Sequence, residues 1–108
     1  MTSEFSSIKF SRTPIVKAVE NSHDSITVAW SAPIMDRPIT AYQFIIRRGA
    51  PNGPQLNIEE LPRPNNFPPY RHAIRSLTSK TVYYIQVRGI DCGGDASSWS
   101  RQQGYRTL

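Results

Sequence analysis

Hydrophobic and polar residues alternate along three segments of this chain. The segments span residues 25–30, 42–47 and 81–88, and only Ile45 interrupts the alternation in the second one. Successive side chains of an extended strand point to opposite faces, so a period of two indicates a strand with one buried face. The pattern therefore predicts three β-strands.

No segment shows the 3.6-residue apolar period of an amphipathic helix. Nine prolines lie between Pro14 and Pro69, where they would interrupt most helices. Clusters of turn-forming residues at 51–54 and 91–94 separate the alternating segments. These features predict an all-β fold, and the spacing of strands and turns is typical of a sandwich of two sheets.

Two motifs resemble the fibronectin type III family. The first is Trp-Ser-Ala-Pro at residues 30–33, followed by the stretch 38–42. The second is the stretch 77–87, in which Ser79 stands where the family usually has proline. The resemblance implies an immunoglobulin-like sandwich of seven strands in two antiparallel sheets.

The length of the chain, 108 residues, allows one domain with a single core and no metal or disulfide to support it. The resemblance extends from about Pro14 to Leu108, so we expect residues 14–108 to form the domain. Residues 1–13 are expected to be a flexible lead-in or a cloning remnant. The whole is expected to come from a longer modular protein, and the isolated domain to be monomeric.

Four residues are expected to form the structural centre of this domain. The resemblance places Trp30 and Tyr42 in the core. Leu77 and Tyr83 are six residues apart across a polar turn. This is the arrangement of a tyrosine corner, in which the ring is buried and its hydroxyl bonds to the backbone of the preceding loop.

The chain carries a net charge of +5 and has ten arginines and three lysines. Residues 1–54 hold six basic and four acidic side chains, and residues 55–108 hold seven and four. The charge is therefore not gathered into the basic tail or stripe of a dedicated nucleic-acid binder. A mixed, solvated surface is the expectation, and nucleic acid is not the expected partner.

Candidate catalytic and metal-binding groups are few and poorly arranged. Cys92 has no basic neighbour in sequence that would activate its thiol. Glu59 and Glu60 are adjacent, so on a strand they point to opposite faces and cannot flank one substrate. His23, His72 and the lone cysteine give no zinc-ligand spacing. We therefore expect no catalysis, no metal, no cofactor and no small-molecule substrate.

Four side chains are expected to form a partner-binding surface. By the alternation described above, Ile45 and Arg47 face away from the core, as do Tyr84 and Arg88. The resemblance makes their two strands neighbours. Because aromatic residues and arginine are enriched at protein interfaces, this face predicts a protein partner with an acidic surface. The alternative is that the arginine stems only cover the apolar side chains.

Residues 96–100 resemble half of the tryptophan–serine repeat of cytokine-receptor fibronectin domains. Ala96 stands where the first tryptophan would be, so a cytokine receptor is not inferred. The resemblance implies that Trp99 stacks on an outward arginine, either Arg88 or Arg47, as a structural cation–π pair. We include Trp99 in the candidate face.

The stretch 61–70 contains four prolines and is expected to be a stiff crossing between the sheets. Two interpretations remain open. Phe67 packs down onto the domain, or Phe67 and Tyr70 are exposed anchors for a partner peptide. Phe67 is therefore a second candidate binding residue.

Four observations bear on the cellular compartment. No apolar run approaches the ~20 residues of a membrane span. There is no Asn-x-Ser/Thr acceptor, and Cys92 is unpaired, which favours an intracellular protein. Residues 83–91 together with 61–64 resemble the terminal fibronectin domain of Windei-type chromatin cofactors, which would imply a nuclear scaffold. The alternative is an extracellular adhesion or receptor module.

Overall fold

The computed structural model describes residues 13–108, which form two antiparallel β-sheets. The expected lead-in, residues 1–13, lies outside the described residues except for Thr13. The strands are β1 Val16–Asn21, β2 Ile26–Trp30, β3 Ile39–Arg48, β4 Gln55–Pro62, β5 Tyr70–Ile74, β6 Val82–Asp91 and β7 Gln103–Arg106. Within this part of the chain no helix suited to cross a membrane is found.

The two sheets face each other across one core. One sheet has the strand order β1-β2-β5, and the other has the order β4-β3-β6-β7. Every paired strand runs antiparallel to its neighbour. The predicted all-β fold, a seven-stranded antiparallel sandwich of two sheets, is confirmed.

Trp30 lies at the centre of the core, with 1% of its surface exposed. Its ring meets the rings of Tyr42 and Phe44 edge-on, with centroid distances of 5.4 and 4.9 Å. Such pairs add about 0.5–1.5 kcal/mol beyond the burial of their area. The other residues of the core are Val16, Ile26, Val28, Ile46, Tyr70, Ile74, Tyr83, Ile85 and Val87.

Tyr83 fixes the loop that precedes β6. Its ring is buried, and its hydroxyl accepts a hydrogen bond of 2.7 Å from the backbone N–H of Thr78. Leu77 is partly buried and packs against the core. The side chain of Tyr83 thus joins the loop to the strand that follows it, which is the geometry of a tyrosine corner.

Strand β4 turns an apolar side chain outward and a charged one inward. Ile58 pairs with Ile45 of β3 and is 51% exposed. Glu59 faces the other sheet, where its Oε1 lies 2.9 Å from Nε2 of His72 on β5. Both side chains of this contact are about a quarter exposed. One open side of the sandwich is therefore closed by a polar contact between the sheets.

Candidate functional site

The outward surface of β4, β3 and β6 is the candidate binding surface, and we call it the sheet face. Its side chains form rows because antiparallel pairing places residues of neighbouring strands directly opposite each other. From β4 to β6 the rows are Glu60–Gln43–Arg88, Ile58–Ile45–Gln86 and Gln55–Arg47–Tyr84. We call the first the polar row, the second the apolar row because of its two isoleucines, and the third the mixed row.

The polar row is joined by hydrogen bonds along its whole length. Arg88 Nε donates to Gln43 Oε1 at 2.9 Å, and Gln43 Nε2 donates to Glu60 Oε1 at 2.8 Å. On its other side the Arg88 guanidinium lies over the ring of Trp99, 4.4 Å from the centroid. Arg88 is thus held between an amide and an aromatic ring, which fixes the direction of its charge.

Two exposed apolar side chains lie on β4 at the free edge of the sheet. Ile58 is 51% exposed and pairs with half-buried Ile45, and Leu56, at the register shift of β4 against β3, is 48% exposed. Strand β4 pairs only with β3 among the described strands, so its other side has no neighbour within residues 13–108. An exposed apolar edge strand presents both side chains and backbone groups to a partner.

The mixed row has its aromatic residue beside a glycine. Tyr84 pairs with Gly104 of β7 and is half-buried. Its ring covers the position that a side chain of residue 104 would occupy. A Cβ atom at position 104 would lie 2.8 Å from Cε1 of this ring. Arg47 donates from Nη1 to the carbonyl oxygen of Gly53 at 3.2 Å. Both outward side chains of this row are therefore partly held by the domain itself.

Five of the six candidate residues come together on or beside the sheet face, and they are Ile45, Arg47, Tyr84, Arg88 and Trp99. The structure selects Arg88 as the stacking partner of Trp99, one of the two arginines considered. The sixth residue, Phe67, lies in the crossing between β4 and β5. Its side chain is 92% exposed, so the interpretation in which Phe67 packs down is wrong. The alternative is wrong for Tyr70, which is 4% exposed because its ring packs in the core.

Three exposed residues of strand β4 have no counterpart in the sequence-based prediction, and they are Leu56, Ile58 and Glu60. The outward direction of Gln43 follows from the alternation of β3. The stretch 55–62 has no clear alternation, because Leu56 and Ile58 are the residues one would place inward. The turn at 51–54 was the available signal: a strand that follows a tight turn pairs antiparallel with the strand before it, which sets its register on β3.

The titratable side chains are arranged as structural groups. His72 contacts Glu59, and exposed His23 lies 3.7 Å from Asp24. Burial raises the pKa of Tyr105 to about 12. Within residues 13–108 no group of three or more histidine, cysteine, aspartate or glutamate residues could hold a metal ion. Cys92 is exposed and free.

Two antiparallel sheets closed around an aromatic core, with a tyrosine corner before β6, define an immunoglobulin-like sandwich. A family model described as fibronectin type III domain matches residues 13–103. The chain belongs to the fibronectin type III family. Domains of this family are, in general, non-catalytic binding and spacer modules.

Solved structures of low sequence identity share this fold. The chain is similar to a structure described as that of a myokine, with 17% identity over 90% of this chain and 97% of that one and a TM-score of 0.66. It is similar to domains A168–A170 of titin, with 22% identity over 91% of this chain, 32% of that one and a TM-score of 0.71.

A third similar structure is the fifth fibronectin domain of Drosophila Lar, with 21% identity over 90% of this chain and 96% of that one and a TM-score of 0.63. The chain spans about a third of the titin fragment. A comparison with curated proteins gives no significant match. At these identities the likeness shows the fold alone.

Proposed function

We propose that this domain is a non-catalytic protein-interaction module that binds its partner through the sheet face. The observation that carries the proposal is the exposed apolar surface of β4 at the free edge, where Leu56 and Ile58 are about half exposed and Ile58 pairs with Ile45. Exposed apolar groups rimmed by polar side chains mark interaction sites. The polar row on one side and the mixed row on the other form that rim.

The charge of this surface favours an acidic partner. Arg47 and Arg88 flank the apolar row, and exposed Arg106 follows on β7. Glu60 is the acidic member of the three rows, and its carboxylate already accepts a hydrogen bond from Gln43. An acidic partner surface would gain charge-assisted hydrogen bonds from the arginines, and its affinity would fall as salt is added.

The experiment compares two matched substitutions of exposed isoleucine. Ile58→Asp places a carboxylate in the centre of the apolar row, whereas Ile15→Asp makes the same change at a residue that is 44% exposed just before β1, in the other sheet. Binding of a partner, captured first with the unaltered domain, is measured by calorimetry, and stability is measured by urea unfolding.

We expect Ile58→Asp to weaken binding at least about tenfold, because a buried apolar anchor at an interface is worth roughly 1–2 kcal/mol. Ile15→Asp should leave the affinity within about twofold. Equal losses in the two variants, or full affinity in Ile58→Asp with its fold intact, would contradict the proposal.

A second candidate surface is the crossing that carries Phe67. This ring is 92% exposed, which is the reason to consider it. Aromatic anchors often dominate interface energetics. If Phe67→Ala abolishes binding while Tyr84→Ala leaves affinity and stability unchanged, the crossing and not the sheet face is the binding surface.

The setting of the domain remains a prediction from the sequence. The unpaired Cys92 and the missing glycosylation acceptor support an intracellular scaffold, including a chromatin cofactor. An extracellular adhesion or receptor module is the alternative. The sequence of the parent polypeptide distinguishes them, since tandem repeats behind a signal peptide indicate the exterior.

A further inference from the structure

A cleft of about 250 Å³ opens at the end of the sandwich, beside the loop from β2 to β3. It is lined by Ala32, Pro33, Ile34, Met35, Arg37, Ile39, Tyr42, Arg63 and Tyr70. Two of these residues are arginines, none is acidic, and most of the rest are apolar. Sites for drug-sized ligands span roughly 300–1,000 Å³, so this cleft has room for one side chain or one chain terminus.

Arg63 lies at the rim of the cleft on a restrained stretch of backbone. It lies between Pro62 and Pro64, whose rings restrict the backbone on both sides. Its backbone N–H donates a hydrogen bond of 3.0 Å to the carbonyl oxygen of Thr40. The Arg63 side chain is exposed and lines the cleft.

Tyr42 lies at the floor of the cleft. Its side chain has no exposed surface, so its ring closes the cleft from below and its hydroxyl is out of reach of a ligand. Burial raises its pKa well above the usual range, the neighbouring Tyr70 raises it further, and Arg63 lowers it. The effect of Arg63 on this hydroxyl shows that the positive charge of Arg63 acts at the floor of the cleft.

We propose that this cleft binds a carboxylate carried by an apolar peptide segment. Arg63 pairs with the carboxylate, and Ile34 and Met35 contact the apolar atoms beside it. The carboxylate comes from an acidic side chain or from a peptide C-terminus, since both present the same group. This site is separate from the sheet face, and neither depends on the other.

A neighbouring cleft shows by contrast why the charge of the lining matters. It is larger, about 440 Å³, but three aspartates, Asp36, Asp91 and Asp95, line it together with Arg37. Asp91 Oδ1 already accepts hydrogen bonds of 2.9 Å from the backbone N–H groups of Gly93 and Asp95. A cleft that is lined by both arginine and aspartate, and whose Asp91 carboxylate is already hydrogen-bonded, does not favour an anionic ligand.

The experiment uses peptides of known composition and the whole chain labelled with ¹⁵N. The probes are N-acetyl-leucine, which carries a terminal carboxylate, and acetyl-Leu-Asp-Leu-amide, which carries one on a side chain. Their neutral counterparts are N-acetyl-leucinamide and acetyl-Leu-Asn-Leu-amide. Chemical-shift changes at the amides of Ile34, Thr40 and Arg63 are followed during titration.

We expect at least one acid probe to bind with a dissociation constant in the millimolar range and its neutral counterpart to bind at least about tenfold more weakly. The probe that binds more tightly identifies the source of the carboxylate. Absence of saturable shifts at these amides, or equal shifts with acid and neutral probes, would overturn the proposal.

Two variants test whether the probe binds at a local site or is attracted only by the net positive charge of the domain. Arg63→Gln should weaken binding about tenfold or more. Arg71→Gln, which removes the same charge from an exposed residue next to Tyr70 but outside the cleft lining, should leave it within twofold. Equal weakening in both variants would mean that net charge alone attracts the probe, and the proposal would fail.

Discussion

At the scale of single residues, Trp30 combines close packing with an unsatisfied polar group. Its ring is in edge contact with Tyr42 and Phe44, whereas its Nε1–H has no hydrogen-bond partner among the described residues. The stabilisation by Trp30 therefore comes from its volume and its aromatic contacts. The indole N–H opposes it, because a buried donor without an acceptor costs about 1–3 kcal/mol.

Two substitutions of Trp30 test these opposing contributions to stability. Trp30→Ala should lower the free energy of unfolding by about 3–5 kcal/mol, because it removes a buried aromatic side chain and leaves a cavity. Trp30→Phe should lose less than half of that, since it keeps a ring and removes the unpaired N–H. Urea unfolding measures both, with Phe67→Ala as the exposed control. A loss below about 1 kcal/mol for Trp30→Ala would show that Trp30 is not central to the core.

At the scale of elements, the sheet face joins β6 to the segment before β7 through the stack of Arg88 on Trp99. The guanidinium lies 4.4 Å from the ring centroid and also donates to Gln43 on β3. One side chain thus links two strands and the loop between β6 and β7. The arrangement supports the sheet as well as presenting charge.

We expect a double-mutant cycle on Arg88→Ala and Trp99→Ala to give a coupling energy of about 0.5–1 kcal/mol in urea unfolding, the range for a cation–π pair near the surface. The matched cycle on Arg47→Ala and Trp99→Ala should give about zero, because Arg47 bonds to Gly53 instead. Comparable coupling in both cycles would mean that the effect is not specific to the stacked pair.

The elements also show what the sequence could and could not predict. The alternation around Trp30, Tyr42 and Tyr83 gives the correct buried faces, because those strands have one wet and one dry side. Strand β4 does not show this alternation. Its inward residue Glu59 is satisfied by His72, a group 13 positions away, so no local pattern could identify it.

The residues of the candidate binding surface also divide into those that the sequence could place and those that it could not. Two strands with clear alternation could be paired from the resemblance, so Ile45 and Tyr84 could be placed on one outward face. Ile58 could not, because its exposure depends on the register of β4 against β3. The exposure of Phe67 could not be derived either, since a stiff crossing permits a ring to point either way.

At the scale of the whole molecule, buried tyrosines make the free energy of unfolding depend on pH in the alkaline range. Burial raises the pKa of Tyr105 from 10.0 to about 12 and raises that of Tyr42 further. A folded state that holds these protons more tightly than the unfolded chain loses stability as the pH rises through the interval between the two values. The contribution is fully present below the unfolded value of 10.0.

We therefore expect the free energy of unfolding to fall as the pH rises from about 10 to about 12. Tyr105→Phe should flatten part of this decline, since that side chain can no longer ionise. Urea unfolding across this range, with tyrosinate absorbance recorded in parallel, measures both effects. A decline that is identical with and without the Tyr105 hydroxyl would show that other groups cause it.

Strand β4 also sets a fixed distance between the two proposed sites. Ile58 of the sheet face and Arg63 at the rim of the cleft are five residues apart along one nearly extended segment, about 17 Å at 3.3–3.4 Å per residue. Because Ile58 faces outward and the cleft opens at the end of the sandwich, a linear peptide that joins them must be longer than this distance and bend around the end of β4. A ligand that places an acidic residue at one end and an apolar residue at the other would engage both sites at once. Its second contact would then form at a high effective concentration, so two weak sites would act with the avidity of one strong site.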